Sequence, residues 1–305
     1  MKLSVRRALL AVACLAIASG VFVVPSSDTS TDTAVVDVSY SRPLTHDTDL
    51  PNVISWNMCN GISSNDACLE EVGSEKPAAA LEYSIALAQR RPRLIALQEI
   101  CLPAYLRMVY SLGEFNYHAH FYTSNPNPQT GCVRHGNAVF WKGGCDGDCW
   151  HDIYYPDAGE SDLRGAACAE SDAYGFVGCS THLNSGTPSV AINQQYLYRQ
   201  YGNQVSQFQT FYGAGDFNMV PTQSGMSGWA GWATNYVEGG SSCFCRFTYE
   251  SAGGTTKKLD YIWATENPPQ NGCTRSHDAN ILSVLLQNPT ERVSDHYQYR
   301  AYFNC

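Results

Sequence analysis

Six short polar clusters mark this sequence, and each lies beside or at the end of an apolar run. The clusters are Trp56-Asn57-Met58, Gln98-Glu99, Thr181-His182-Leu183, Gly215-Asp216-Phe217-Asn218, Leu259-Asp260-Tyr261 and Ser294-Asp295-His296. They supply four carboxylates and two imidazoles, together with the carboxamides of Asn57 and Asn218. Carboxylate and carbonyl oxygens are the ligands that hard divalent cations prefer, and imidazole transfers protons near neutral pH. The clusters therefore predict a hydrolytic site around such a cation.

Interleaved strands and helices are predicted between these clusters. The apolar runs predict strands at Asn52–Trp56, Arg93–Gln98, Tyr117–Tyr122, Asn137–Trp141, Ala166–Ala169, Tyr174–Ser180, Phe211–Gly215, Lys258–Ala264, Ile281–Gln287 and His296–Phe303. Helical patterns predict helices at Pro77–Arg91, Leu102–Leu112 and Pro188–Gln209. Several clusters fall where a strand gives way to a loop, which is where α/β proteins place ligand groups.

The N-terminus is typical of a secretory signal. Lys2, Arg6 and Arg7 precede an almost unbroken apolar run from Ala8 to Val24, and Ala16-Ile17-Ala18 offers a small-residue cleavage site. We therefore predict a secreted, extracellular protein. Because the run approaches the roughly 20 apolar residues that span a bilayer, an uncleaved anchor is the alternative.

Composition suggests how the rest of the chain is organised. The segment after the signal is rich in Ser, Thr and Asp, which is typical of a solvated leader. The six clusters span nearly all of the chain beyond the leader, which favours one large domain. We predict a signal peptide at 1–26, a flexible leader at 27–51 and a single domain at 52–305.

Cysteine usage agrees with export. The chain has 13 cysteines, and Cys14 lies in the signal, so an even number remains. An even number in an exported chain favours disulfides over zinc binding, since no finger-like spacing accompanies the close pairs. Spacing alone does not give the pairing, with one exception: we predict a Cys168–Cys179 disulfide, because these residues lie on two neighbouring strands across a short polar turn.

The charge is acidic, with 19 basic and 28 acidic residues and a formal net charge of −9. Loss of the three basic residues of the signal would bring it to about −12. Attraction of the whole protein to nucleic acid or to an anionic membrane is therefore not expected, although a local basic patch stays open. This argues mildly against a polyanionic substrate without deciding the matter.

The order and spacing of the clusters resemble the endonuclease/exonuclease/phosphatase superfamily, the DNase I-like metal-dependent phosphodiesterases. The resemblance runs from Trp56 to His296 and is most specific at Gly215-Asp216-Phe217-Asn218, Ser294-Asp295-His296 and Leu97-Gln98-Glu99. His135-Gly136-Asn137-Ala138-Val139 is similar to the central strand of the family. The resemblance implies an α/β (α+β) fold, a four-layer sandwich in which two mostly antiparallel sheets pack face to face with helices outside.

The resemblance also implies a metal site. Glu99 would be the main ligand, with Asn57 and Asp295 beside it. The cation would be Mg²⁺, with Ca²⁺ or Mn²⁺ as alternatives. Its positive charge would stabilise the negative charge that develops on the phosphorus oxygens and on the leaving group.

The remaining matched positions would carry the proton chemistry. Asp216 would orient or deprotonate the attacking water, and Asn218 would hold that water or a phosphate oxygen. His182 and His296 would contact the phosphate and act as acid or base, in an order that stays open. Asp260 would hydrogen-bond to His296 and fix its tautomer.

Two further residues are weaker candidates for contacts with the phosphate. They are Arg164, just before a strand, and Asn137, within the sequence similar to the family's central strand. For Arg164 a solvated surface position is an equally good interpretation.

The resulting hypothesis is a secreted, divalent-metal-dependent phosphodiesterase, a DNase I-like endonuclease that acts by in-line attack of water. The partner would be a phosphodiester substrate, DNA in the first place, and the protein would be a monomer; no protein partner can be inferred. Groove-facing candidates for DNA are Arg107, Arg134, Arg164 and Tyr105.

Two alternatives remain. One is a sphingomyelinase-like or phosphoinositide-type lipid phosphoesterase, for which Trp229 and Trp232 could insert at an interface and a lipid head group would be the substrate. The other is a catalytically silent binding or toxin-like protein on the same scaffold.

Overall fold

The computed structural model of the chain describes residues 53–59, 92–125, 132, 134–156, 163–231, 236–238, 247–251, 253–265, 280–282 and 294–301. The predicted signal peptide and leader, the predicted helix Pro77–Arg91 and Trp232 lie outside the described residues. The division of the chain into signal, leader and one domain stays a prediction.

The first sheet has six strands. In spatial order they are β13 (Asn280–Leu282), β14 (Gln298–Ala301), β1 (Val53–Asn57), β2 (Leu94–Cys101), β4 (His135–Lys142) and β3 (Tyr117–Asn125). The central pair β1 and β2 is parallel, and every other neighbouring pair is antiparallel. The parallel pairing places the last residues of β1 and β2 at the same end of the sheet.

The second sheet repeats this plan. Its spatial order is β5 (Trp150–Tyr154), β6 (Gly165–Ser171), β7 (Phe176–His182), β8 (Thr210–Asp216), β12 (Asp260–Thr265) and β9 (Tyr236–Glu238). Only β7 and β8 are parallel. A separate hairpin pairs β10 (Tyr249–Glu250) with β11 (Thr256–Lys257).

Three helices are described: α1 (Leu102–Gly113), α2 (Pro188–Val205) and α3 (Ser224–Gly231). The inward faces of the two sheets share one apolar core, which includes Leu94, Val139 and Ile262. A second core joins the outer face of the first sheet to α1, and a third joins the outer face of the second sheet to α2 and α3. The predicted four-layer sandwich with two mostly antiparallel sheets is therefore confirmed.

Most predicted elements occur with shifted ends. The second predicted helix starts at Leu102 as expected, whereas α2 ends at Val205 rather than Gln209. After Val205 the chain turns so that β8 can begin at Thr210, and the turn leaves Phe208 82% exposed. Elements that were not predicted are β5, β9, the β10–β11 hairpin and α3. None of the described helices is long and apolar enough to cross a membrane.

The disulfide predicted between Cys168 and Cys179 is confirmed. The two residues are direct partners in the antiparallel pairing of β6 and β7, with a Cα–Cα distance of 4.1 Å. Cys101 also pairs with Cys132, and Cys145 pairs with Cys149. Cys59 is disulfide-bonded as well. The close pair Cys145–Cys149 is thus a disulfide and not half of a zinc site.

Removing the Cys168–Cys179 disulfide is expected to destabilise the fold. The Cys168→Ala/Cys179→Ala variant should lose about 2–4 kcal/mol of the free energy of unfolding, because the disulfide restricts the unfolded chain and both sulfurs are buried in the core. Urea unfolding followed by tryptophan fluorescence measures this. The matched control is Cys145→Ala/Cys149→Ala, which opens a shorter loop closed by two partly buried cysteines and should cost less. An equal loss in both variants would contradict the prediction.

Candidate active site

Two parallel strands of the first sheet deliver Asn57 and Glu99 to one place. Asn57 is the last residue of β1, and Glu99 lies in an irregularity of β2, where the pairing register with β4 shifts between Leu97 and Ile100. Glu99 has a φ of +50°, a conformation that is uncommon for a residue with a side chain and often occurs at functional sites. The irregularity re-aims the carboxylate of Glu99 toward Asn57.

The parallel pair of the second sheet delivers His182 and Asp216, which are direct register partners at the ends of β7 and β8. The close approach of these strands explains Gly215: a Cβ atom there would lie 2.0 Å from the backbone oxygen of Thr181. Asp260 begins β12 directly opposite Asp216. Three of the six sequence clusters therefore meet at one end of the second sheet.

The last cluster reaches the site from the C-terminal part of the chain. Ser294 Oγ donates a hydrogen bond of 2.8 Å to the backbone oxygen of Asn57, and Trp56 Nε1 donates one of 3.0 Å to the backbone oxygen of His296. These bonds hold the segment with Asp295 and His296 against β1, 240 positions away in the case of Trp56 and His296. The fold thus joins clusters from both sheets.

Asp216 lies at the centre of the site and is 1% exposed. Its Oδ2 accepts a hydrogen bond of 3.1 Å from Asn57 Nδ2, and its Oδ1 accepts one of 2.8 Å from the backbone N–H of Asn218. The Nε2 atoms of His182 and His296 each lie 3.6 Å from Asp216 Oδ2. One carboxylate oxygen is therefore flanked by both imidazoles.

Each histidine has a carboxylate of its own. His296 Nδ1 lies 2.8 Å from Asp260 Oδ2, so the Nε2 of that ring is the nitrogen that faces the site. His182 Nε2 lies 3.5 Å from Glu99 Oε1, which also accepts a hydrogen bond of 3.2 Å from Asn57 Nδ2. The expected hydrogen bond between Asp260 and His296 is therefore present.

The surroundings shift the pKa values of the two imidazoles in opposite directions. Burial favours a neutral ring in both cases, and for His182 the nearby charges of Arg164 and His296 add to it and hold the pKa well below its ordinary value. For His296 the burial effect is outweighed by Asp260 and Asp216, so its pKa is raised. Burial also raises the pKa of Asp216. These surroundings favour the protonated form of His296 and the neutral form of His182.

The carboxylates Glu99 and Asp295 fit a divalent cation. Burial raises the pKa of Asp295 to about 6, and the negative charge of Glu99 contributes in the same direction. The Oδ1 atom of Asp295 is buried and has no hydrogen-bond partner in the described part of the chain. A buried carboxylate oxygen that accepts no hydrogen bond and lies near a second carboxylate is stabilised when positive charge lies between the two.

Asn57 presents its amide nitrogen, not its oxygen, to the carboxylates. Its Oδ1 accepts a hydrogen bond of 3.0 Å from the backbone N–H of Cys59. In this orientation Asn57 orients Glu99 and Asp216, and it would have to turn its amide over to bind a cation through oxygen. Its role as a metal ligand stays a prediction.

Another possible set of ligands consists of Asp216, Asp260 and His296, whose ligand atoms lie within 4.8 Å of one another. A cation at this place would have to break the hydrogen bond between His296 and Asp260 and would meet a protonated ring. A cation held by Glu99 and Asp295 would leave the hydrogen bond between His296 and Asp260 intact, and it would face the Nε2 atom of His296 only across the 4.0 Å that separates this atom from Asp295 Oδ1. The pair of Glu99 and Asp295 is therefore the better position for a divalent cation.

The three remaining predicted residues lie around this centre. Asn218 has a φ of +50°, and its Nδ2 donates a hydrogen bond of 2.9 Å to the backbone oxygen of Leu183. Asn137 is 1% exposed, and its Nδ2 donates a hydrogen bond of 3.0 Å to the backbone oxygen of Gly165. This bond connects the first sheet to the second. Arg164 precedes β6 and acts on the pKa of His182 through its charge. Their contacts with a phosphate stay predictions.

Sequence reasoning gave no role to two residues that the structure places at the site. Gln98 Nε2 donates a hydrogen bond of 2.9 Å to Ser180 Oγ, which in turn donates one of 2.8 Å to the backbone oxygen of Leu97. These bonds join the two sheets next to Glu99. Tyr249 packs its ring against that of His296, with a centroid distance of 5.1 Å. The cluster Gln98-Glu99 points to Gln98, whereas no sequence pattern marks Tyr249.

The Endonuclease/Exonuclease/phosphatase family model matches residues 54–296. This chain belongs to the endonuclease/exonuclease/phosphatase family. The family is one of phosphoesterases, so the predicted superfamily is confirmed and the site is that of a phosphoesterase fold. A comparison of the sequence with curated proteins finds no match.

Several solved structures share the fold. TDP2 of D. rerio, complexed with a single-strand DNA product, has a TM-score of 0.63 and 16% identity, over 83% of this chain and 98% of that chain. The human nocturnin catalytic domain has a TM-score of 0.57 and 19% identity, over 82% of this chain and 92% of that chain. ANGEL2, a 2′,3′-cyclic phosphatase, has a TM-score of 0.57 and 14% identity, over 82% and 94%.

Proposed function

We propose that this protein is a divalent-metal-dependent phosphodiesterase that cleaves nucleic acid, with DNA as the first candidate, by in-line attack of water. The observation that carries the proposal is the placement of Asp216 Oδ2 at 3.6 Å from the Nε2 atoms of both His182 and His296, beside the acidic pair Glu99 and Asp295. Phosphodiester hydrolysis needs a proton acceptor for water, a proton donor for the leaving oxygen and positive charge at phosphorus. The site offers a group for each.

Asp216 is the residue to orient the attacking water. It is buried, and its two oxygens are fixed by Asn57 and by the backbone of Asn218. Burial raises its pKa, which makes it a stronger proton acceptor than an exposed carboxylate. Asn218 lies at the same turn and would hold the water or a phosphate oxygen.

His296 is the residue to face the negative charge of the phosphoryl group. Asp260 holds its Nδ1, so Nε2 carries the proton that points into the site. The lowered pKa of His182 favours its neutral ring, which would donate a hydrogen bond to a phosphate oxygen without adding charge. When bound beside Glu99 and Asp295, a Mg²⁺, Ca²⁺ or Mn²⁺ ion supplies positive charge for the phosphorus oxygens.

Nucleic acid is the preferred substrate class on two grounds. TDP2, a structural neighbour, is described with a single-strand DNA product. Arg134 is exposed directly before β4, at the end of the sheet where Asn137 and Glu99 lie, and could contact a phosphate backbone. Tyr105 of α1, in contrast, is partly buried, and its ring packs against Phe121 and Phe140, which favours a role in the core over a groove contact.

One of the two tryptophans that favoured a lipid substrate is buried. Trp229 is 0% exposed and stacks on Trp263 in the core, so it does not insert into an interface. A lipid head group therefore enters only as an outcome of the substrate test.

We also propose that the protein is exported and works as a monomer outside the cytoplasm. The three described disulfides and the disulfide-bonded Cys59 support an oxidising compartment. Expression of the full chain, followed by N-terminal sequencing of the protein found in the medium, tests export. A new N-terminus near residue 26 is expected; retention of the intact chain in the cell contradicts it.

The substrate proposal is tested by incubating purified protein with plasmid DNA, a single-stranded oligonucleotide, sphingomyelin vesicles and a phosphoinositide. Each reaction is run with Mg²⁺ and with a chelator, and the Asp216→Asn variant is the control for contaminating nucleases. Metal-dependent cleavage of a nucleic acid by the wild-type protein alone is expected. Cleavage of only a lipid would replace the substrate, and no cleavage of any substrate would favour a binding protein.

A further inference from the structure

We propose that Tyr249 is a substrate-contacting residue of this site, whose hydroxyl donates a hydrogen bond to an oxygen of the phosphoryl group that His296 faces. The inference rests on the proposed phosphoesterase site and adds a group to it that the cluster motifs do not contain. It is drawn from the way the β10–β11 hairpin is fastened to the catalytic elements.

The hairpin is fixed to the segment that carries Asp295 and His296. Tyr249 and His296 form an antiparallel backbone bridge. The backbone N–H of Glu250 donates a hydrogen bond of 2.9 Å to the backbone oxygen of Asp295, and the N–H of Tyr297 donates one of 2.7 Å to the backbone oxygen of Thr248. Tyr249 therefore cannot shift without moving the two site residues beside it.

A second attachment joins the hairpin to β12. The Oγ1 atom of Thr248 accepts hydrogen bonds of 3.0 Å and 2.9 Å from the backbone N–H groups of Leu259 and Asp260. Because Thr248 is completely buried and side chains alternate along an extended chain, Tyr249 projects to the opposite side from Thr248. That side is the one on which the ring of His296 lies.

The ring of Tyr249 meets the ring of His296 edge to face, with 5.1 Å between centroids and an interplanar angle of 60°. Tyr249 is only half-buried, and its hydroxyl has no hydrogen-bond partner among the described residues. Partial burial, followed by the charges of Asp295 and Asp216, raises the pKa of Tyr249. Its hydroxyl therefore stands as a protonated donor within electrostatic reach of both carboxylates.

A donor in this position has a chemical use. The carboxylates at the site repel an approaching phosphate, and the Nε2–H of His296 is one donor that can offset this repulsion. A tyrosine hydroxyl adds a donor without adding a titrating group near neutral pH. A hydrogen bond to a charged oxygen is typically about twice as strong as a neutral one, so its loss is measurable.

The test compares Tyr249→Phe with Tyr297→Phe. The first variant keeps the ring against His296 and removes only the hydroxyl. The second removes a hydroxyl from the same junction, but one that is already hydrogen-bonded to Glu250. Tyr297 follows His296 directly, so alternation along an extended chain projects the two side chains to opposite sides. The binding of inorganic phosphate in the presence of Mg²⁺ is measured by calorimetry for both variants and for the wild-type protein, alongside kcat and KM with the best substrate.

Tyr249→Phe is expected to weaken phosphate binding and to lower kcat/KM by about 10- to 100-fold, with an unchanged Tm, while Tyr297→Phe leaves both parameters near wild type. Equal phosphate binding in Tyr249→Phe and wild type would overturn the proposal, as would an equal loss in the two variants. If the wild-type protein cleaves nothing but binds phosphate through Tyr249, the inference holds and the proposed catalytic function fails.

Discussion

The His296→Ala variant is expected to hydrolyse its phosphodiester substrate at least about 100-fold more slowly than the wild-type protein, because a positioned acid–base group typically contributes about 10² to 10⁴ in rate. His296 is buried, its Nδ1 is held by Asp260 and its Nε2 lies 3.6 Å from Asp216. Alanine removes the cationic donor and leaves Asp216 and Asp260 as two buried carboxylates without a counter-charge. The rate is measured as kcat and kcat/KM at saturating Mg²⁺.

The same loss, at least about 100-fold, is expected for His182→Ala, for a different reason. His182 Nε2 lies 3.5 Å from Glu99 Oε1 and 3.6 Å from Asp216 Oδ2, so it connects the proposed metal ligand with the residue proposed to orient the attacking water. The matched control is His118→Ala, which replaces an exposed histidine on β3 that stacks on Trp141 at the other end of the sandwich. Turnover close to wild type in both active-site variants would defeat the assignment.

A double-mutant cycle separates catalysis from folding. If Asp260 acts only through His296, the Asp260→Asn variant should be slow, and combining it with His296→Ala should cost no more than His296→Ala alone. Additive losses would show that Asp260 has a separate role. Circular dichroism and Tm for each variant establish that a slow variant is folded.

Local patterns in the sequence were enough to place the strands and helices whose apolar runs are continuous. The run at Arg93–Gln98 became β2 and the helix predicted from Leu102 became α1, because each has a full apolar face to bury. The edge strand β5 was missed, since its sequence Trp150–Tyr154 mixes polar and aromatic residues and is only partly buried. Edge strands need less apolar surface than central ones and give a weaker signal.

The strand order could not be read from local patterns. β1 pairs with β14 near the other end of the chain, and β8 lies between β7 and β12. Such pairings depend on how distant faces pack, which periodicity does not encode. The resemblance to the family supplied this information, and the structure confirms the fold that it implied.

For the site, the types and order of the residues in the sequence predicted the seven central residues but not the residues that position them. The structure brings together all seven of the central predicted residues: Asn57, Glu99, His182, Asp216, Asp260, Asp295 and His296. Tyr249 was missed because its position beside His296 depends on how the hairpin pairs with a distant segment, through one backbone bridge that no local sequence pattern predicts. The charge difference between His182 and His296 was also hidden, since it depends on burial and on which carboxylate each ring touches.

The Glu99→Gln variant is expected to raise the Mg²⁺ concentration needed for half-maximal activity by about 100-fold or more. Even residues behind a metal ligand typically cost about 10- to 100-fold in metal affinity when they are replaced, so a ligand should cost at least as much. Glutamine keeps the length of the side chain and can still accept the hydrogen bond from Asn57 Nδ2, while the negative charge is lost. Glu99→Ala should show the same shift with a larger loss of activity.

A readout independent of turnover accompanies the titration. Mg²⁺ that binds only the folded protein raises its Tm, so the wild-type protein should show a rise in Tm that is absent or displaced to higher concentration in Glu99→Gln. The control is Glu114→Gln, which neutralises an exposed carboxylate after α1, away from the site, and should leave the titration unchanged. A Mg²⁺ titration of Glu99→Gln that overlays the wild-type curve would remove Glu99 from the cation site and leave the grouping of Asp216, Asp260 and His296 as the alternative.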